Sequence, residues 1–252
     1  MNLFDTLAII GALAWIYPLA LWIHKLFTKT KVEILNHKDI EIGFTFYGPI
    51  INLNMAFSSE NKDAFIKNIQ LTLIHERSET HVFHWEWFEE TFLELDIPDS
   101  GIIPYKKNQK AIAIKVPIET LVEKKVGFQN KKYKEEYSKL YSATNQTLLN
   151  IIQNSNEHTQ IATTNEYNTF KDLFKKHFPW KIGKYKGNIE VFLADRNKTF
   201  QQTFSFEMTS LDVKNLERNL LTCEDSLINQ FVNLDPDYKA EWKWAILSDT
   251  DK

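Results

Sequence analysis

A single cysteine, Cys223, in 252 residues excludes an internal disulfide and any cysteine-built zinc site, so the fold rests on burial and hydrogen bonding alone. Glycine and proline are scarce at 7 each, which excludes collagen-like and linker-rich architectures. The glycines at 11, 43, 48, 101, 127, 183 and 187 form neither a Walker loop nor a dinucleotide fingerprint, so ATP and NAD chemistry is excluded and no cofactor is expected. A G-x-S-x-G nucleophile elbow is also missing. Charge of one sign is not in excess either. Thirty Lys and Arg stand against 33 Asp and Glu, a net charge of −3, which leaves no global footprint for nucleic acid. What the chain does have is a 43% hydrophobic and 13% aromatic composition, too apolar for disorder and sufficient to bury a core.

The first long pattern is an uncharged stretch over residues 6–23, made of Leu, Ala, Ile, Gly, Trp, Tyr and Pro after Thr6. Eighteen helical residues reach about 27 Å, close to the hydrocarbon thickness of a bilayer. Trp22, His24 and Lys25 at its end make an interfacial flank, and Pro18 sets a kink. Residues 1–28 are therefore expected to be a transmembrane anchor that contacts the lipid bilayer through residues 6–27. A cleaved signal peptide is the competing reading, since Ala12-Leu13-Ala14 fits a small-x-small site. Against it, the first six residues carry no Lys or Arg. Lys25, Lys29 and Lys31 follow the stretch, and the positive-inside rule then puts the remaining chain in the cytoplasm of a single-pass membrane protein.

From residue 32 to 88 apolar residues alternate: Ile40, Ile42, Phe44 and Phe46, then Ile51, Leu53, Met55 and Phe57, with Tyr47-Gly48-Pro49 between them. Short alternating strands with one apolar face must close over it. Tyr133, Tyr137, Leu140 and Thr144 fall on one helical stripe. Thr209 and Asp212 form a capping box before the stripe Val213, Leu216, Leu220, Cys223, Leu227. Residues 240–247 read as a Trp-rich closing strand. The expected fold is mainly β with helical insertions (α+β): an antiparallel β-sandwich over residues 29–252, immunoglobulin-like or arrestin-like in architecture only, interrupted by helices near 119–180 and 209–233.

Two clusters carry chemistry. His75, His81, His84 and Glu86 gather in a predicted hairpin. On a strand His84 and Glu86 share a face, His81 points to the other, and His75 joins across the ladder; a metal-dependent hydrolase is the function they suggest, although no recognised ligand spacing is met. Between residues 171 and 186, Lys171, Lys175, Lys176, Lys181, Lys184 and Lys186 face a single acid, Asp172, and are interleaved with Phe174, Phe178, Trp180 and Tyr185. Basic residues mixed with aromatics suit an anionic lipid surface or a protein partner. Cys223 on an apolar stripe reads as an inert hydrophobe. With no catalytic signature, the leading expectation is a non-enzymatic interaction domain that binds another protein, with no identifiable small-molecule substrate. A membrane-perturbing effector built on the N-terminal stretch is a further alternative.

Overall fold

The computed structural model describes residues 14–20, 22–23, 27–97, 101–154, 163–194, 199–232 and 237–250. Among the described residues ten strands form one sheet: β1 (Lys31–Thr45), β2 (Gly48–Glu60), β3 (Ala64–His75), β4 (Thr80–Ile97), β5 (Gly101–Lys110), β6 (Ile114–Val116), β7 (Leu121–Gln129), β8 (Gly183–Leu193), β9 (Thr199–Met208) and β10 (Trp244–Ser248). The helices are α1 (Lys131–Asn154), α2 (Asn165–Lys176) and α3 (Ser210–Val232), besides helical residues near the N-terminus.

Alternation does what the sequence asks of it. Ile40, Ile42 and Phe44 of β1 and Ile51, Leu53, Met55 and Phe57 of β2 are all buried on one face, and the two strands pair antiparallel with Ile42 opposite Ile51. The tight turn between them depends on Gly48, whose φ of +82° favours glycine and whose absent Cβ leaves room for the Tyr133 ring. The sheet order is β10-β1-β2-β7-β4-β3-β8-β9, all antiparallel, with β5 on β4 and β6 on β3. Its two ends return to each other. The Thr250 amide donates to the Ser205 carbonyl of β9 at 2.8 Å, and the Ser205 amide donates to Asp249 Oδ1 at 3.1 Å. The sheet is thus a nearly closed barrel around its apolar face, which corrects the expected sandwich. Strand patterning is the same for both; whether the edges meet decides between them.

Register places the C-terminal ends of β1, β3, β7 and β9 and the N-terminal ends of β2, β4 and β8 at one mouth of the barrel. Helices α1 and α3 follow β7 and β9 at that mouth, and α2 leads from α1 back into β8 there. Asn130 caps α1 by accepting from the Tyr133 amide at 3.0 Å, and Thr164 does the same for α2 through the Tyr167 amide at 3.1 Å. The box at the start of α3 is reciprocal: Thr209 N donates to Asp212 Oδ2 at 2.9 Å and Asp212 N to Thr209 Oγ1 at 3.3 Å. Residues 121–129, expected within a helical insertion, are instead the central strand β7.

The N-terminal expectation is also corrected. Among the described residues no helix is long and apolar enough to cross a membrane. Residues 14–20 and 22–23 are helical, while residues 6–13, 21 and 24–26 of the expected span lie outside the described residues. The single-pass anchor, the membrane location and the side assigned to the domain fall with it.

Candidate functional site

Side chains on the outer face of the barrel build a cleft of about 910 Å³ beside the helical mouth. Its floor is β2, where Ile50 and Asn52 point away from the buried row of Ile51 and Leu53. Gly43 of β1 stands opposite Ile50, and Gly127 of β7 stands opposite Asn52. Both glycines seat an indole. A Cβ at Gly43 would come within 2.4 Å of the Trp244 ring, and one at Gly127 within 2.0 Å of the Trp87 ring. Since β1 and β7 flank β2, the two seats lie roughly 10 Å apart across the sheet.

Trp87 reaches this face through a β-bulge. The β4–β7 register shifts between Trp85 and Trp87, so Trp85 turns inward and is buried while Trp87 turns outward. Trp242 stands beside Trp244. The segment ahead of β10 is fixed to α3 by the fully buried Asn219, whose amide donates to the Lys243 carbonyl at 2.7 Å and accepts the Lys243 N–H at 2.8 Å.

Helix α1 supplies the far wall. Tyr133, Tyr137 and Tyr141, four residues apart, stack along the helix with centroids 5.8 and 6.1 Å apart. Tyr133 is buried, and its hydroxyl donates to the Phe46 carbonyl at 2.9 Å. Burial holds the Tyr133 and Tyr137 phenols above their ordinary range, so both stay protonated. Tyr47, 67% exposed at the β1–β2 turn, forms the lip, and its carbonyl accepts from Gln129 Nε2.

Among the described residues, two buried polar atoms of the cleft have no hydrogen-bond partner: Asn52 Oδ1 and the Tyr137 hydroxyl. Asn52 Nδ2 is engaged, donating to Glu41 Oε2 at 3.2 Å, and Glu41 in turn binds Lys125 at 2.7 Å. Glu86 and Lys134, both at the cleft, pair at 2.6 Å. The site is aromatic, rich in amides and close to charge-balanced.

The residues expected from sequence lie elsewhere, apart from Glu86. His75 is buried at the end of β3; Nε2 meets the Ile182 carbonyl at 3.2 Å and Nδ1 meets the Arg77 amide at 3.4 Å. Both ring nitrogens are thus engaged within the protein. His81 pairs across the ladder with Leu73 and shares the inward face, whereas His84 sits opposite Gln70 on the outward one. Among the described residues no group of three or more His, Cys, Asp or Glu is placed to hold a metal ion.

The lysines spread over α2, β8 and the segment between them. Lys171 pairs with Glu224 at 2.9 Å, Lys176 with Glu136 at 2.7 Å and Lys181 with Glu79 at 2.6 Å, while Lys175, Lys184 and Lys186 are exposed. Lys176 and Lys181 share a second cleft of about 700 Å³ with His81 and His84, so the structure brings part of both clusters together. Trp180, expected to face lipid or partner, is instead 2% exposed; its indole donates to the Gly43 carbonyl at 3.1 Å and stacks on Phe83 with centroids 6.1 Å apart. An indole whose single donor is satisfied inside the core has no reason to surface.

No family model matches the sequence, and no curated protein matches it. Among solved structures, a family 123 glycoside hydrolase from Clostridium perfringens aligns over 72% of this chain and 27% of its own length, at 11% identity and a TM-score of 0.35. That likeness is too slight to carry an argument about fold or function.

Sequence reading missed the cleft, although one signal points there. Trp-x-Trp occurs twice, at 85–87 and 242–244. Its meaning depends on the bulge in β4 and on glycines contributed by β1 and β7.

Proposed function

We propose that this chain is a binding domain and that the cleft between β2, β10 and α1 is its recognition site. One observation carries the reading: three tryptophans, Trp87, Trp242 and Trp244, and four tyrosines, Tyr47, Tyr133, Tyr137 and Tyr141, line one cleft of about 910 Å³. A cleft of this size and polarity suits a ligand of several hundred Å³ held by aromatic contact and a few directed hydrogen bonds. The glycine-seated indoles are held in place before any ligand arrives, which lowers the ordering cost of binding.

The test compares the wild-type chain with Trp244→Ala and Tyr47→Ala on immobilised peptide and glycan arrays, with circular dichroism as the check on folding. Retention that both variants lose supports the cleft as the recognition site. Retention that survives both variants places recognition elsewhere and ends the proposal. A protein partner, the expectation from sequence, is read in the peptide arm.

A further inference from the structure

We propose that the occupant of this cleft is a neutral saccharide; the inference rests on reading the cleft as the recognition site and goes on to name its ligand. Three features select the chemistry. The first is the pair of indoles. Trp244 and Trp87, seated against Gly43 and Gly127, both line the cleft. A pyranose ring offers flat faces of C–H groups, whose slight positive charge complements the negative face of an aromatic ring.

The second feature is the demand for donors. Asn52 Oδ1 accepts and has nothing to accept from, and the Tyr137 hydroxyl has neither donor nor acceptor beside it. Both residues line the cleft. Sugar hydroxyls both donate and accept, and they ring the edge of the same molecule whose faces are apolar. An aliphatic ligand would leave these groups unpaired in a drier site, a loss in free energy. A polyproline segment, the usual guest of aromatic grooves, lacks the N–H that Asn52 needs.

The third feature is charge. Glu86 is matched by Lys134, and Glu41 behind Asn52 is matched by Lys125. Among the described charged residues of the cleft only Lys110, exposed at the rim, has no ion-pair partner. Beyond that one lysine a charged ligand would meet no unpaired counter-charge here, whereas a neutral one needs none. Asn108 and Gln109 on β5 and Gln230 on α3 add amides around the opening, the groups that pair with hydroxyls without imposing charge.

The experiment titrates the full chain with neutral oligosaccharides of glucose, xylose, mannose and N-acetylglucosamine, following tryptophan fluorescence and calorimetry, with a peptide library in parallel. The expected result is saturable binding of at least one saccharide. Affinity should fall at least tenfold in Trp244→Ala, and severalfold in Asn52→Ala and in Tyr47→Ala, while Lys186→Gln leaves it unchanged. Tyr47 is exposed at a turn, so its replacement keeps the test valid should a tryptophan variant fold poorly. Cleft-dependent binding of peptides with no response to any saccharide would overturn the saccharide and leave the cleft as a binding site. Saccharide binding indifferent to all three variants would overturn this cleft as its seat. Silence in both panels would overturn the binding reading together with the inference.

Discussion

Trp180 and Trp244 both meet Gly43, and their circumstances differ in every other respect. Trp180 gives its N–H to the Gly43 carbonyl, stacks on Phe83 and is 2% exposed; Trp244 lies against the Gly43 Cα from the outer face and is 38% exposed. Around Trp180 the aromatic groups satisfy one another: the Tyr185 ring stacks on Phe206 at 5.1 Å, and its hydroxyl accepts the Lys181 amide at 2.8 Å. Around Trp244 aromatic surface is left open and polar atoms lack partners. One residue type therefore closes the barrel and also equips its outer face, and strand phase decides which.

The inner member of the pair should show the largest effect. Replacing Trp180 with alanine removes a side chain that bridges β1 and β4 at the helical mouth, together with the hydrogen bond it gives the Gly43 carbonyl. A loss of about 3–5 kcal/mol in unfolding free energy follows from the usual cost of deleting a buried aromatic. Urea denaturation measures it, and the fraction still folded should bind cleft ligands as the wild type does. A loss below about 1 kcal/mol would mean that the mouth is closed by the helices without the indole.

The outer face should give a smaller change in stability and a larger one in recognition. In Gly127→Ala the new Cβ falls 2.0 Å from Trp87 Cε2, so the indole must lift from its seat. Overpacking of this kind costs about 1–3 kcal/mol. Displacement of the ring should shift tryptophan emission and weaken cleft binding by an order of magnitude. Gly43→Ala should act in the same direction through Trp244, and more mildly, because that ring is freer to swing into solvent. Unchanged emission and binding in both variants would remove the glycine seats from the account.

How far the sequence foretold this arrangement depends on whether a feature is local. The alternation of β1 and β2 and the capping box of α3 are decided by neighbours, and they read correctly. Strand β7 did not, because its inward row of Val122, Lys124, Val126 and Phe128 is interrupted by a lysine. In the fold the Lys124 ammonium lies 5.2 Å from the centre of the Phe88 ring and pairs with Glu90 at 3.1 Å, so a charged residue occupies a strand position read as apolar. Barrel closure turns on contacts between β9 and residues 249–250, far apart in sequence. The cleft needs a bulge, two glycines on strands that flank β2, and a helix that follows β7. The lysine run from 171 to 186 shows the converse failure: its counter-charges Glu224, Glu136 and Glu79 come from outside that run, and three of its six lysines are paired with them.

The smallest expected effect is the response to pH, and it sharpens the contrast between the two clefts. His81 sits in the second cleft, where burial lowers its pKa from 6.5; Glu79 opposes that shift, and Lys181 and His75 reinforce it. A histidine whose folded pKa lies below its unfolded value takes up its proton more readily when unfolded. Stability from its neutral form is therefore complete above pH 6.5 and is lost as pH falls from there through the folded pKa. Glu136, held by His177 at 2.8 Å and Lys176 at 2.7 Å, has its pKa lowered to about 2, so its contribution is lost only as pH falls from 4.5 toward that value. The two windows are distinct, and His81→Gln should flatten the upper one while leaving the lower. Thermal melts in half-unit steps between pH 7.5 and 3 would show it. The aromatic cleft has no histidine among its lining residues, so ligand affinity measured across pH 7.5 to 5.5 should stay level while the melting temperature of the wild type declines. A parallel decline in affinity would tie the two clefts together.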